Sequence, residues 1–178
     1  MKNAIYIAVG SNIDPEENVV RALELLLERL QVSACSTFFW SAPAERPEQD
    51  RFLNGVWQAH SSLSPQELKR DLLRPIEHQL GRRRESDRHA ARPIDLDLVL
   101  HGATVSQDSD LQLPDPDIPK RPFLWQPLAE LAGDTLASLG LVPTAQALER
   151  LEPDHRITNR LRQVLDASSN NSPSKADR

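Results

Sequence analysis

Two aspartates interrupt an apolar segment near the middle of the chain, in the run RPIDLDLVL at residues 92–100. Asp95 and Asp97 are two positions apart, so in a β-strand their side chains project from the same face, and the alternating apolar residues line the opposite face. Two adjacent carboxylates repel each other unless a positive charge lies between them. Mg²⁺ binds through one or two carboxylates together with substrate phosphates, so the pair indicates a magnesium site. The alternative is a solvated strand face that carries this spacing by chance.

Basic residues lie on both sides of this segment: Arg82, Arg83, Arg84, Arg88, Arg92, Lys120 and Arg121. The planar donor fork of arginine matches phosphate oxygens. Because the formal net charge is −5, acidic metal ligands beside arginines indicate a polyphosphate substrate rather than a nucleic-acid backbone. The arginines could instead pair with local acids such as Glu85 and Asp87. The chain has no GxxxxGK[ST] phosphate loop, which excludes a Walker-type NTPase.

Composition and length restrict the class of protein further. At 178 residues the chain predicts a single domain over 1–166, followed by a polar, disordered tail at 167–178. Cys35 is the only cysteine, which excludes an intrachain disulfide and argues against a zinc site. The first residues do not resemble a signal peptide, and no segment is apolar enough to span a bilayer. We therefore expect a cytoplasmic protein.

The periodicity of apolar residues predicts a β-α-β-β-α-β order. The predicted elements are a strand at 4–9, a helix at 14–30, strands at 32–40 and 52–60, a helix at 64–81, and a strand at 94–100. This order indicates an α+β, ferredoxin-like fold, in which helices cover one face of an antiparallel sheet and the other face stays open. Residues 145–166 predict an additional helical segment towards the C-terminus.

Helix-start residues precede both core helices. Asp14 suits an N-cap with Glu17 three residues on, and Ser64 repeats the pattern with Glu67. Pro75 lies inside the second helix, where it should kink or loosen a turn, because proline has no N–H to donate.

Several motifs occur in a fixed order: GSN at 10–12, FLNG at 52–55, IE at 76–77, GRRR at 81–84, RPIDLDLVL at 92–100 and RPFLWQPLAEL at 121–131. Together they resemble the 6-hydroxymethyl-7,8-dihydropterin pyrophosphokinase (HPPK) family of folate biosynthesis, over about residues 4–135. The resemblance implies a ferredoxin-like α+β fold. It also implies transfer of pyrophosphate from ATP to the pterin hydroxymethyl group, which releases AMP.

The resemblance implies a role for each group of site residues. Asp95 and Asp97 would hold two Mg²⁺ ions, with ATP as co-substrate. Catalytic roles fall on Arg82, Arg92, Asp95 and Asp97. ATP contacts fall on Glu77, Arg84, Leu111, Asp115 and Arg121. Pterin contacts fall on Ala42, Pro43, Glu45, Phe52, Asn54 and Phe123.

The residue types are consistent with the pterin contacts that the resemblance implies. Phe52 and Asn54 share one face of a strand, where an aromatic ring offers a stacking surface for a flat heterocycle. An amide can both donate to and accept from a lactam edge. The alternative is that Phe52 and Phe123 are ordinary core residues.

The chain departs from the family pattern at several positions. His89-Ala90-Ala91 stands where the family usually has Trp-Gly-Pro, and Asp115-Pro116 replaces a His-Tyr or similar pair. Ala42 and Glu45 stand where a small hydroxyl residue and an apolar residue are usual, and Arg74-Pro75 departs from a glutamine-containing helix. A carboxylate at Asp115 would repel a triphosphate, so we expect a divergent member, either altered in activity or specialised on a related pterin.

Two other functions compete with the kinase. A non-catalytic paralogue would bind pterin or nucleotide without releasing AMP, as the changes at His89 and Asp115 favour. An RNA-binding module would use the arginine loop and an exposed sheet, but the aspartate pair makes that face acidic. We expect small-molecule substrates, no nucleic-acid or membrane partner, and a monomer.

Overall fold

The computed structural model describes residues 2–43, 46–83, 90–108 and 110–170. The elements are β1 (Asn3–Ser11), α1 (Pro15–Leu27), β2 (Gln31–Cys35), β3 (Phe39–Ser41), β4 (Phe52–Ser61), α2 (Pro65–Glu67), a π-helical segment (Leu68–Leu73), α3 (Arg74–Gln79), β5 (Asp95–His101), β6 (Ser106–Asp108), β7 (Leu111–Leu113), α4 (Pro122–Ser138), a 3₁₀ turn (Gln146–Leu148), β8 (Glu152–Pro153) and α5 (His155–Asn170). The predicted α+β class and ferredoxin-like order are confirmed.

The main sheet is antiparallel and has the order β5-β1-β4-β3-β8, with β2 also paired to β4. β1 therefore lies between the two strands that carry the predicted site residues, β4 and β5. β6 and β7 form a separate hairpin. No helix in the described part of the chain is long and apolar enough to cross a membrane.

The helices lie on both faces of the sheet. One apolar cluster joins α1, α3 and α5 to one face, with Ile7, Leu23 and Leu161 fully buried. A second cluster joins α4 to part of the opposite face through residues such as Val56 and Leu128. The face expected to be open is therefore partly covered, and the remaining uncovered part forms a cleft.

The predicted strand at 32–40 is two strands, β2 and β3. The interruption occurs because the Phe38 backbone bonds to the last helix instead of continuing the ladder. The Phe38 N–H donates to the Thr158 hydroxyl (2.9 Å), and the Asp154 N–H donates to the Phe38 carbonyl (2.8 Å).

The two predicted helix starts have different outcomes. Ser64 and Glu67 form the reciprocal capping box. Asp14 is not a side-chain cap, because it adopts φ 41° and its side chain makes no capping bond. Instead the Asn18 side-chain amide donates to the Ile13 carbonyl (2.7 Å), and the Asn18 backbone N–H donates to the Asp14 carbonyl (3.0 Å). The first helix therefore begins through a backbone turn.

Pro75 follows a loosened turn, as predicted. The π-helical segment Leu68–Leu73 precedes it, and the Arg74 N–H donates to the Lys69 carbonyl. The wider turn accommodates a residue that lacks an N–H. The helix then stops at Gly81, which has φ 86°.

The predicted C-terminal helix over 145–166 is only partly helical. A 3₁₀ turn and β8 occupy its first part, and α5 begins after Asp154, whose carboxylate accepts from the Ile157 N–H (3.0 Å). α5 continues to Asn170, because Leu161 and Leu165 bury an apolar stripe against the core. It therefore enters the stretch predicted as a disordered tail; residues 171–178 of that tail lie outside the described residues.

Cys35 is buried in β2, with no disulfide partner. Burial raises the pKa of its thiol to about 12, so the unreactive, protonated form dominates at neutral pH. This agrees with a structural cysteine and not a nucleophile.

Gly55 provides a test of the packing around Phe38. A Cβ at Gly55 would lie 2.4 Å from the Phe38 ring, so Gly55→Ala should lower the free energy of unfolding by about 1–3 kcal/mol through overpacking. Gly133→Ala is the matched control, since nothing lies within 4 Å of its added methyl group. Urea unfolding of both variants measures the difference, and equal stability of the two would contradict the packing assignment.

Candidate active site

A cleft of about 360 Å³ opens on the sheet face that α4 leaves uncovered. Three neighbouring strands form its floor: β4 contributes Phe52 and Asn54, β1 contributes Gly10, and β5 contributes Asp95 and Asp97. The start of α4 and the loop before it form one wall, and the segment after β3 forms another. The structure thus brings the predicted metal residues and those predicted pterin residues that it describes into one cavity.

Asp95 is the centre of a charge cluster at one end of this cleft. Its two carboxylate oxygens accept separately from Arg82 and from Arg92, the latter at 2.5 Å. Arg82 also pairs with Glu77, and these side chains are mostly shielded from solvent. Burial disfavours the Arg82 charge, but the carboxylates of Asp95 and Glu77 outweigh it and raise the pKa of Arg82 above its usual value.

Glu77 contributes to the site indirectly. Its carboxylate accepts from the Leu96 N–H (2.9 Å) as well as from Arg82. Glu77 therefore holds the Arg82 side chain close to the start of β5. This position explains a glutamate that is only 3% exposed, because a buried carboxylate needs charged and N–H partners.

The GSN motif positions the second arginine. The Asn12 side-chain oxygen accepts from the Arg92 N–H (2.7 Å), and the Ser11 hydroxyl donates to the Pro93 carbonyl (2.6 Å). The Asn12 amide also donates to the Asp50 carbonyl (3.3 Å). One asparagine thus connects the arginine-bearing segment to the loop before β4.

Asp97 carries a different electrostatic environment from Asp95. Its side chain is exposed where it lines the cleft. Desolvation within the cleft, followed by repulsion from the Asp95 and Glu77 carboxylates, raises the pKa of Asp97 to about 7. The positive charge near Asp97 is therefore too small to balance its carboxylate, as is typical of a carboxylate that binds a cation.

Asp115 adds to the negative charge near Asp97. Its N–H donates to the Val99 carbonyl (3.0 Å) on β5, and its carboxylate accepts from the Asp117 N–H (2.8 Å). Burial raises the pKa of Asp115, partly offset by that hydrogen bond. Asp115 and Arg121, which the sequence predicts as nucleotide contacts, both line the cleft.

The donor set fits a hard divalent cation. Carboxylate oxygens are the ligands that Mg²⁺ prefers, and it completes its shell with water and substrate phosphates. In the described ranges, no three His, Cys, Asp or Glu side chains converge on one point. Asp95 and Asp97 supply two carboxylates, a number with which Mg²⁺ commonly binds beside substrate phosphates.

The other end of the cleft is suited to a flat ring. Phe52 and Phe123 are half-buried and line the cavity, so they are not simply core residues. The Arg92 guanidinium lies 5.9 Å from the Phe52 ring centroid, which places the phosphate-type donor beside the aromatic surface. Ala42 and Pro43 also line this end.

Some predicted site residues lie elsewhere. Leu111 is buried in β7 beside a separate pocket lined by Arg70 and Arg74, and Arg82 reaches the cleft only through Asp95. Glu45, Arg84 and His89 lie outside the described residues.

Gly10, Ser41, Arg46 and Asp117 also line the cleft, although the sequence did not identify them as site residues. Gly10 belongs to the GSN motif, and its alignment with Asn54 and Asp95 follows only from the strand register. Ser41 lies just after the strand break at Phe38. The alternation of side chains along one continuous strand therefore could not predict which face of the sheet its side chain would occupy.

Comparison with known proteins identifies the family. The model of the 7,8-dihydro-6-hydroxymethylpterin-pyrophosphokinase (HPPK) family matches residues 6–133. The chain belongs to the HPPK family. The resemblance seen in the sequence motifs is thereby confirmed, and the matched region contains the whole cleft.

Individual relatives agree with this assignment. The chain is 36% identical over 134 residues to 2-amino-4-hydroxy-6-hydroxymethyldihydropteridine pyrophosphokinase of Bacillus subtilis, covering 74% of this chain and 79% of the relative. The same-named Pseudomonas aeruginosa protein is 35% identical over 137 residues, covering 75% and 83%. The mitochondrial folate synthesis bifunctional protein of Pisum sativum is 36% identical over 141 residues, covering 75% of this chain but 27% of its own length.

The chain therefore spans about a quarter of that bifunctional relative and most of the shorter bacterial ones. A crystal structure described as HPPK-DHPS in complex with substrates aligns with a TM-score of 0.52 at 9% identity, covering 97% of this chain and 45% of that chain. At that identity the alignment supports the HPPK fold alone.

The two cleft aspartates should affect stability in opposite directions. In metal-free protein at pH 8, Asp97→Asn should raise the free energy of unfolding, because it removes a carboxylate that the fold disfavours in its charged form. The folded Asp97 takes up its proton near pH 7 and an unfolded aspartate near pH 4. The gain should therefore shrink as the pH falls from 7 towards 4.

Asp95→Asn should lower stability by about 1–3 kcal/mol, because it leaves Arg82 and Arg92 without their shared partner. Urea unfolding in EDTA at pH 8 and pH 4.5 measures both variants. A loss of stability in both at pH 8 would show that Asp97 is balanced by positive charge.

Proposed function

We propose that this chain transfers pyrophosphate from ATP to the hydroxymethyl group of 6-hydroxymethyl-7,8-dihydropterin, with release of AMP. One observation carries the proposal: paired carboxylates, Arg92 and an aromatic surface line a single cleft, and Arg82 is bound to Asp95 of the same pair. Family membership and bacterial relatives named as this pyrophosphokinase support the same reaction.

The reaction forms one bond and breaks one bond. The hydroxymethyl oxygen attacks the β-phosphorus of ATP, the bond from that phosphorus to the α–β bridging oxygen breaks, and AMP leaves with that oxygen. The hydroxyl proton is released to solvent. Positioning and charge stabilisation supply most of the acceleration in phosphoryl transfer.

The residues of the cleft divide these tasks. Phe52 and Phe123 stack against the pterin ring, and the Asn54 amide hydrogen-bonds to the edge of the ring. Asp95 and Asp97 hold Mg²⁺, for which two ions are predicted; the metal neutralises triphosphate charge when bound. Arg82 and Arg92 are paired with Asp95, so a triphosphate would compete with Asp95 for their donors. Of the predicted nucleotide contacts, Arg121 and Asp115 line the cleft, whereas Glu77, Arg84 and Leu111 stay predictions from the sequence.

The substrates are therefore ATP and a dihydropterin. A monomer and a cytoplasmic location stay predictions from the sequence.

A second candidate is a protein that binds pterin or nucleotide without catalysis. The carboxylate of Asp115 favours it, since this group lies near Asp97 and adds negative charge to the end of the cleft proposed for phosphates.

AMP formation distinguishes the two candidates. We expect AMP only when ATP, the dihydropterin and Mg²⁺ are all present, with the pterin diphosphate detected by mass. Asp97→Asn should lower turnover by about 10²–10³-fold, the scale of losing one charge-stabilising group, whereas Asp134→Asn, an exposed change on α4, should not. Tight binding of both substrates without AMP would favour the binding protein, and unchanged turnover in Asp97→Asn would contradict the metal assignment.

Asp115 provides a separate test of charge in the cleft. Asp115→Asn keeps an oxygen that can accept from the Asp117 N–H but removes the negative charge. Because like charges about 4 Å apart cost roughly 1–4 kcal/mol, we expect ATP to bind about tenfold tighter or more. Titration calorimetry with Mg²⁺ and a non-hydrolysable ATP analogue measures this, and weaker binding in the variant would mean that Asp115 assists the nucleotide.

A further inference from the structure

The Asn54 side chain is fixed in one orientation by two neighbours. Its amide nitrogen donates to the Ser41 hydroxyl at 2.9 Å and to the Phe52 carbonyl at 3.3 Å. An amide nitrogen has two hydrogens, so these contacts use both. Turning the amide over would place its oxygen against the Phe52 carbonyl, where two acceptors would repel each other.

Gly10 makes room for the oxygen of this amide. A Cβ at Gly10 would lie 3.0 Å from Asn54 Oδ1, closer than ordinary packing allows. Gly10 pairs with Asn54 on one side and with Asp95 on the other. The oxygen therefore lies over the floor of the cleft, at a place left open because β1 has no side chain there.

We propose that Ser41 is a positioning residue, which holds Asn54 so that only an acceptor faces the ligand. The ligand edge at this point must then be an N–H donor, such as a ring lactam N–H or an exocyclic amine. This inference rests on the proposed function, since it assigns the donor edge of the same heterocycle. It also narrows the role of Asn54, because an amide that is free to rotate could serve either donors or acceptors.

The burial of Ser41 supports an indirect role. The residue is 8% exposed, and its hydroxyl already accepts from Asn54. Without the hydroxyl, one amide hydrogen of Asn54 would lose its partner inside the protein. The amide would then turn towards other partners, and its oxygen would spend less time over the cleft.

A double-mutant cycle tests this coupling. Binding of 6-hydroxymethylpterin is measured by calorimetry for Ser41→Ala, Ser41→Thr, Asn54→Ala and the Ser41→Ala/Asn54→Ala double variant. We expect Ser41→Ala to weaken pterin binding about tenfold, the scale of one hydrogen bond, and Ser41→Thr to retain binding. In the Asn54→Ala background, Ser41→Ala should cause no further loss.

Ser61→Ala is the matched control: Ser61 is a buried serine of β4 whose hydroxyl accepts from the Leu63 N–H outside the cleft. It should leave pterin binding unchanged. ATP affinity and the melting temperature are measured for every variant, since a general loss of structure would lower both.

Pterins that lack one N–H donor test the ligand side. The 3-methyl and 2-desamino analogues are compared with the parent pterin. At least one should bind the wild type more weakly, and that analogue should lose nothing relative to the parent pterin in Asn54→Ala.

Equal losses from Ser41→Ala in both backgrounds would overturn the inference, because Ser41 would then act on the ligand directly. Wild-type affinity in Ser41→Ala, or no discrimination among the analogues, would overturn it while leaving the proposed reaction intact. A wild-type protein that binds no pterin would overturn both.

Discussion

The pairing of Asp95 with two arginines is the interaction on which the site depends. Arg82 comes from the segment after α3 and Arg92 from the segment before β5, and a single carboxylate holds both. Charges this well shielded are tolerated only when they are paired and hydrogen-bonded. The surrounding structure supplies those bonds: Glu77 from the helix beneath, and Asn12 from the turn after β1. The structure thus keeps two arginine side chains in place by pairing both with one carboxylate of the cleft.

The order of strands turns this cluster into a site. β1 contributes no charged side chain to the cleft, but it separates the aromatic end on β4 from the acidic end on β5. Gly10 is the position where a side chain would obstruct both ends. The paired carboxylates, Phe52 and Asn54 are thus carried by strands that regular backbone hydrogen bonds hold in register, whereas the loops supply the two arginines and parts of the walls.

The sequence predicted the fold class and the residues of the floor because both follow from local regularities. Side chains alternate between the two faces of a strand, so Asp95 was predicted to share a face with Asp97, and Phe52 with Asn54. The fixed order of the motifs indicated the family. It could not predict that Phe38 would interrupt a strand, since that break depends on Thr158, 120 positions away. Nor could it identify Ser41 as a contact of Asn54, since that hydrogen bond depends on the pairing of β3 with β4. The side-chain cap expected at Asp14 also failed, because the backbone turn there leaves the aspartate with positive φ.

The register across β1 has a geometric consequence. Asn54 and Asp95 are both paired with Gly10, so their backbones are two strand spacings apart, roughly 10 Å. Side-chain rotation cannot change that separation, since it is fixed by two rows of backbone hydrogen bonds. The side chains nevertheless converge from these backbones, because a Cβ at Gly10 would lie 3.0 Å from Asn54 Oδ1 and 3.9 Å from Asp95 Cβ. A ligand group bound over Gly10 is therefore within reach of both the amide and the carboxylate.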